Sequence, residues 1–174
     1  TSQYADELMF IDINASIESR KTLIEITSNA AKDAFMPFTV GGGIKSDEDV
    51  RQILANGADK VLITTAALYD KNLIQKSVKK FGSQAIITGI DYKFDQEKKK
   101  NLVWTNCGSK KTNLSPLELA KNYQDLGVGE IMINNIDRDG LMKGYDLEIS
   151  NEISENLNIP LITCGGVGNF QHIV

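Results

Sequence analysis

FIDINA at residues 10–15 and PFTVGGGI at residues 37–44 return later as NNIDRDG at 134–140 and PLITCGGV at 160–167. Each copy is an apolar strand tipped by an aspartate, Asp12 or Asp137. A helix-length gap follows, and then a strand that opens into paired glycines, Gly42 with Gly43 or Gly165 with Gly166. From the proline to the first paired glycine is 5 positions in both copies; from the aspartate to the proline is 25 positions in the first and 23 in the second. Paired glycines at a strand end let backbone N–H groups approach a phosphate closely, and a following helix adds its positive N-terminal end. Those helices are expected to start near Ser46 and near Asn169. The repeat predicts a duplicated architecture with two anion sites.

Outward from these motifs, apolar runs and helix-period segments alternate along the whole chain. Strands are expected over 7–13, 37–40, 60–68 (turning into a short loop), 85–91, 130–137 and 160–164. Helices are expected over 20–35, 46–57, 72–82, 115–127 and 147–158. The 46–57 helix carries Ser46 as N-cap, acids in its first turn, and Asn56 with Gly57 at its close. Ser115 and Pro116 open the 115–127 helix in the same way. Most strands are apolar almost throughout, as parallel strands buried on both faces are. Strand–helix alternation with short turns means α/β. An open doubly wound sheet and a (β/α)8 barrel both fit that alternation. The doubly wound form wants a GxGxxG turn after its first strand, which this chain lacks. Polar or glycine residues at the ends of nearly every strand (Asp12, Gly42, Thr65, Asp91, Asp137, Gly165) favour the barrel. One long segment, residues 92–114, interrupts the rhythm. It holds Lys98 to Lys100 and LVWTN, a candidate extra strand, at the face where loops bind substrate.

The 174 residues correspond to a single domain, 41% apolar and 24% charged, with a net charge of −4. That balance gives no footprint for nucleic acid, and no run is long enough for a membrane helix. Two cysteines, Cys107 and Cys164, are too few for a disulfide framework or a zinc cage, and a reducing cytoplasm is the expected setting. No cofactor and no metal site is expected.

The residues that carry chemistry cluster at strand ends. Gly42 and Gly43, with Thr64 and Thr65 as hydroxyl donors on the next strand, form one candidate phosphate site. Gly165 and Gly166, with Asp139 and Gly140, form the other. Two such sites suit a substrate with a phosphate at each end. Asp12, Asp91 and Asp137 are strand-tip carboxylates, and aspartate is a poor strand residue. A carboxylate in a partly desolvated mouth can be tuned for acid–base work. Asp91 is the favoured catalyst, because no capping role explains it. In the long segment, Gly108, Lys110 and Lys111 are the candidates for substrate contact, whereas Lys98 to Lys100 are expected to face solvent. His172, the single histidine, is expected to be a surface residue.

FIDINAS, PFTVGGGI, GADKVLITTAAL, FGSQAIITGID, GSKKT, GEIMINNIDRDG, KGYD and CGGVG fall in the order found in the cyclase subunit of imidazole glycerol phosphate synthase, and the chain resembles that family over its whole length. The resemblance implies a single, incomplete (β/α)8 TIM-barrel domain over residues 1–174, covering about strands 2 to 7. It implies a lyase that joins ammonia to a phosphoribulosyl formimino carboxamide nucleotide, giving imidazole glycerol phosphate and an aminoimidazole carboxamide ribotide. Ammonia would come from a glutaminase subunit in a heterodimer and travel through the barrel. The resemblance implies Asp91 as the acid, with the partner base on the first barrel strand, outside this chain. It matches Gly42, Thr64 and Thr65 to one phosphate site and Asp139, Gly140 and Gly166 to the other. Asp12 and Asp137 become further active-face acids, and Gly108 to Lys111 the mobile active-site loop region. Thr64 stands where the family usually has Asn, and Asn14, Cys107 and Leu141 also depart from common choices. These departures, with DGLMKGYDLE, resemble cyclase-like paralogues that channel ammonia for amidino groups on surface sugars. A third reading is an inactive piece that binds phosphate or a partner. A closed barrel needs about 250 residues, so the chain alone is expected to leave its sheet open.

Overall fold

The computed structural model describes residues 5–12, 24–33 and 35–173. Ile13 and Asn14, residues 20–23 and residue 34, on which parts of the expected first strand and helix fall, lie outside the described residues. The chain groups into two compact units, Thr1–Ile87 and Thr88–Val174.

In the first unit, β1 (Leu8–Ile11), β2 (Phe38–Gly41) and β3 (Lys60–Ile63) pair in parallel in that order. All four residues of β2 are buried, as are Val61, Leu62 and Ile63 of β3. This is the double-faced burial that the unbroken apolar runs predict. Between the strands run α1 (Ile24–Asp33), α2 (Asp47–Ala55), α3 (Thr65–Tyr69) and α4 (Lys71–Phe81). Helix α2 is closed as expected. The Ser46 hydroxyl accepts from the Asp49 N–H, and the Asp49 carboxylate accepts from the Ser46 N–H, a complete capping box. Its Val50 and Ile53 enter the core. The expected strand over 60–68 is shorter than its apolar run. It stops at Ile63, and residues 65–69 turn into α3, because two alanines and a leucine favour the helix once Ala67 is buried. Asp70 then caps α4, accepting from the N–H groups of Asn72 and Leu73.

The second unit holds the hairpin and the second copy of the repeat. β4 (Ile86–Asp95) runs four residues past the expected end at Asp91. Asp91 to Asp95 pair antiparallel with β5 (Lys100–Thr105), which contains the extra strand expected from LVWTN, and β5 pairs with the short β6 (Lys110–Lys111). After α5 (Pro116–Asp125), β7 (Glu130–Asn135) pairs with β4 and, in parallel, with β8 (Leu161–Cys164); α6 (Leu147–Glu155) lies between β7 and β8 in the chain. Tyr92, Leu102, Leu119, Tyr123, Ile131, Ile133 and Ile153 form its buried core. The fold class is α/β, with β1–β4, β7 and β8 in the order of strands 2 to 7 of a (β/α)8 barrel and the β5–β6 hairpin inserted.

The two copies share one register. Leu8 lies opposite Phe38 and Ile131 opposite Leu161, a step of 30 residues in each. Extended to the strand ends, that step puts Asp12 beside Gly42 and Asn135 beside Gly165. The backbone contacts agree: a Cβ on Gly42 would meet Asp12, and a Cβ on Gly165 would lie 2.6 Å from the Asn135 carbonyl oxygen. The spatial counterpart of Asp12 is therefore Asn135. Asp137, paired with Asp12 by the sequence motif, sits two residues further on, which accounts for the unequal 25- and 23-residue spacings.

Candidate active site

The first glycine pair lines a real cavity. Gly42, Gly43, Thr64 and Thr65, together with Lys45, Leu62 and Ala66, surround about 210 Å³ in the first unit. Gly42 has φ +102° and Gly43 φ +68°, so the chain turns sharply out of β2 with its backbone open to the cavity. Gly42 must also pass close to the Asp12 backbone, and the Asp12 N–H donates to the Gly41 carbonyl at 3.0 Å. Asp12 itself is half-buried at the β1 tip.

The expected help from the helix at Ser46 takes a different form. The Asp49 carboxylate accepts from both the Lys45 and Ser46 N–H groups at 2.9 Å, so the protein's own anion occupies the start of α2. Asp47 and Glu48 add further negative charge in that turn. Gly42, Gly43, Lys45, Thr64 and Thr65 are the residues with polar groups that line this cavity. Thr64 stands at the N-cap position of α3 and makes no side-chain cap bond.

In the second unit, Asp91 is half-buried at the C-terminal side of the buried stretch of β4. Its carboxyl is held above the ordinary carboxylate value, chiefly because burial disfavours the charge. The hydrogen bond from Asn134 opposes this, and the charge of Asp139 adds to it. Asn134 Nδ2 donates to Asp91 Oδ1 at 3.1 Å. Cys164, opposite Asn134 on β8, has its thiol pushed up by loss of water, with Asp139 and Asp91 contributing. Asp91, Asn134, Asp139 and Cys164 thus form one electrostatic cluster. Burial thus moves Asp91 in the direction that general-acid chemistry uses.

Asp137 does not join this cluster. Its carboxylate accepts from the Phe94 N–H at 2.9 Å and ties the loop after β7 to the hairpin. It also lines a cavity of about 570 Å³ beside Lys99, Lys100, Ser115, Arg138 and Glu148. The loop from Asn135 to Asp146 is held by part-buried hydrogen bonds that no sequence motif announces. Asn135 Nδ2 donates to Asp146 at 2.8 Å, Tyr92 donates to the same oxygen at 3.3 Å, and Asn135 Oδ1 accepts from the Asp137 and Arg138 N–H groups. An Asn at a strand end was the available signal, being as unfavourable there as Asp. Asp139 and Gly140 are exposed on this loop. Gly165 and Gly166 are buried. Gly166 accepts from the Gly144 N–H at 2.7 Å and leaves no room for a Cβ against the Gly144 carbonyl. The helix expected near Asn169 is a single 3-10 turn, Phe170–His172, and the half-buried His172 accepts from the Gly168 N–H through Nδ1.

In the hairpin, the Lys93 ammonium sits 4.0 Å from the Trp104 ring and donates to the Gly108 carbonyl at 3.1 Å. Asn106, Cys107 and Gly108 all have φ between +51° and +75°, a tight turn leading into exposed Lys110. Lys111 is bound at 2.7 Å to the buried Asp95, a structural ion pair. Lys98 to Lys100 are exposed as expected, with Lys98 donating to Asn113. Among the described residues, no group of three or more His, Cys, Asp or Glu could hold a metal ion, and no helix is long and apolar enough to cross a membrane.

Comparison with known proteins points to one family. Residues 1–174 match the family model described as histidine biosynthesis protein. The chain is 45% identical over 168 residues to the imidazole glycerol phosphate synthase subunit HisF of Sulfurisphaera tokodaii, covering 97% of this chain and 67% of that protein. It is 46% identical over 172 residues to the subunit of the same name from Chlorobium phaeobacteroides, covering 99% and 68%. To that of Sulfolobus acidocaldarius it is 47% identical over 167 residues, covering 96% and 66%.

Proposed function

We propose a function on the premise that the chain belongs to the histidine biosynthesis protein family: it is the cyclase subunit of imidazole glycerol phosphate synthase. The observation that carries this reading is the likeness, over nearly the whole chain, to curated subunits of that enzyme. The chemistry assigned to it is that of a lyase. Ammonia from a glutaminase partner attacks the phosphoribulosyl formimino carboxamide nucleotide, the imidazole ring closes, and the aminoimidazole carboxamide ribotide departs.

Ring closure expels water, and the departing ribotide leaves as an amine, so both steps need a proton delivered to a leaving group. Asp91 is assigned that delivery. Its support is a half-buried carboxyl held above its ordinary value where the buried stretch of β4 ends. The cradle of Gly42, Gly43, Thr64 and Thr65 is assigned one substrate phosphate, supported by the cavity these residues line. Asp139, Gly140, Gly165 and Gly166 are assigned to the other end, with Asp12 and Asp137 as accessory acids and Gly108 and Lys110 on the loop. No cofactor takes part, and the setting is the cytoplasm.

The test is complementation of a histidine-requiring strain lacking the cyclase. The intact gene should restore growth without histidine. Failure to restore it while the protein accumulates would sink the assignment and favour a paralogue acting on another substrate.

A further inference from the structure

We propose that Asn134 is the positioning residue of Asp91 and that Gly165 is there to seat it. The idea rests on Asp91 being the acid, as assigned above. Asn134 is the penultimate residue of β7, and its Nδ2 holds one carboxyl oxygen of Asp91 at 3.1 Å, leaving the second oxygen for proton transfer. The other end of the amide, Oδ1, is buried with no hydrogen-bond partner among the described residues. An unmet buried acceptor costs stability, so something else must fix the amide in this orientation. Turning it over would set Oδ1 against a carboxylate oxygen of Asp91.

Gly165 leaves the space. It has φ +88°, and a Cβ there would stand 2.6 Å from the Asn135 carbonyl oxygen and 2.9 Å from Asn134 Oδ1. Any side chain would displace the amide that holds Asp91. The first glycine of CGGVG therefore serves the acid directly.

The repeat supplies an internal control. In the shared 30-residue register, the counterpart of Asn134 is Ile11 on β1, because Ile11 lies opposite Gly41 as Asn134 lies opposite Cys164. The fold accepts an apolar residue at this place, so the amide in the second copy answers to Asp91 and not to strand pairing. The groups facing Asp91 are Asn134 from β7, Asp139 from the loop after it, Cys164 from β8 and Trp104 opposite it on β5. Among these, Asn134 favours the carboxylate and Asp139 opposes it.

The test uses the intact protein with ammonium as nitrogen donor, and three variants: Asn134→Leu, the isosteric Asn134→Asp, and Asn134→Thr, which keeps a donor. Turnover should fall about 10²-fold in the Leu and Asp variants with KM little changed, and Thr should recover much of it. In the Leu variant, the ¹³C carboxyl titration of Asp91 and the alkaline limb of the kcat profile should both move to higher pH. Gly165→Ala should lower kcat likewise. Wild-type kcat with an unmoved Asp91 titration in Asn134→Leu, or Thr performing no better than Leu, would overturn the positioning role. Wild-type activity in Asp91→Asn would instead remove Asp91 from the mechanism, while the titration shift would still report on the contact.

Discussion

Asp91 combines a cost to the fold with a gain for chemistry. Its carboxyl is held above the ordinary value by burial first, so the folded chain binds this proton more tightly than the unfolded chain does. The stability this supplies is present at low pH and is lost as pH rises through the raised value. Asp91→Asn, which removes the buried charge, should therefore raise Tm at neutral pH, and the gain should shrink on acidification. The same substitution should cost roughly 10²-fold or more in turnover if Asp91 is the acid. Thermal melts across pH and steady-state rates check the two halves separately. Gly42 is the other exacting residue. With φ +102° and the Asp12 backbone against its Cβ position, Gly42→Ala should destabilise by about 1–3 kcal/mol and weaken phosphate binding, read by denaturant melts and by KM. Both residues were legible as candidates, because glycine pairs and strand-tip acids violate strand propensity and so mark themselves. Asn134 and Asn135 broke the same rule, but their partners Asp91 and Asp146 are 43 and 11 residues away and carry no local signature.

Helices and strands differ in how far local chemistry settles them. α2 was readable end to end, since its cap, its acids and its 3.6-residue periodicity all lie within the element. Ser46→Ala should cost about 1 kcal/mol, measured as a lowered Tm, because the Asp49 N–H loses its acceptor. The end of β4 was not readable. Tyr92 to Asp95 belong to a strand only because β5 returns to pair with them. That hairpin contains the chain's single tryptophan, Trp104, which makes it directly observable. Lys111 holds Asp95 below the ordinary carboxylate value, so the pair contributes stability above that range and loses it as pH falls through the lowered value. Trp104 emission should stay constant from neutral pH down to about pH 5 and change below about pH 4. In Lys111→Met the change should begin at higher pH. A flat titration in both proteins would detach the ion pair from hairpin order.

At the scale of the molecule, the chain spans about two thirds of the curated subunits it matches. With ammonium as donor, the intact protein should turn over without help; with glutamine, only when its partner subunit is added. A rate assay with either donor decides this, and glutamine-dependent turnover by the protein alone would contradict the division of labour. Strand–helix alternation, the duplicated motifs and the family were all readable from the chain, because they depend on periodicity and on residues with restricted conformations, which act over a few positions. The anchoring of Asp137 in the hairpin and the hold of Asn134 on Asp91 were not. Each depends on which side chains strand register brings within hydrogen-bond distance, and a shift of two residues, invisible in a motif, changes every partner.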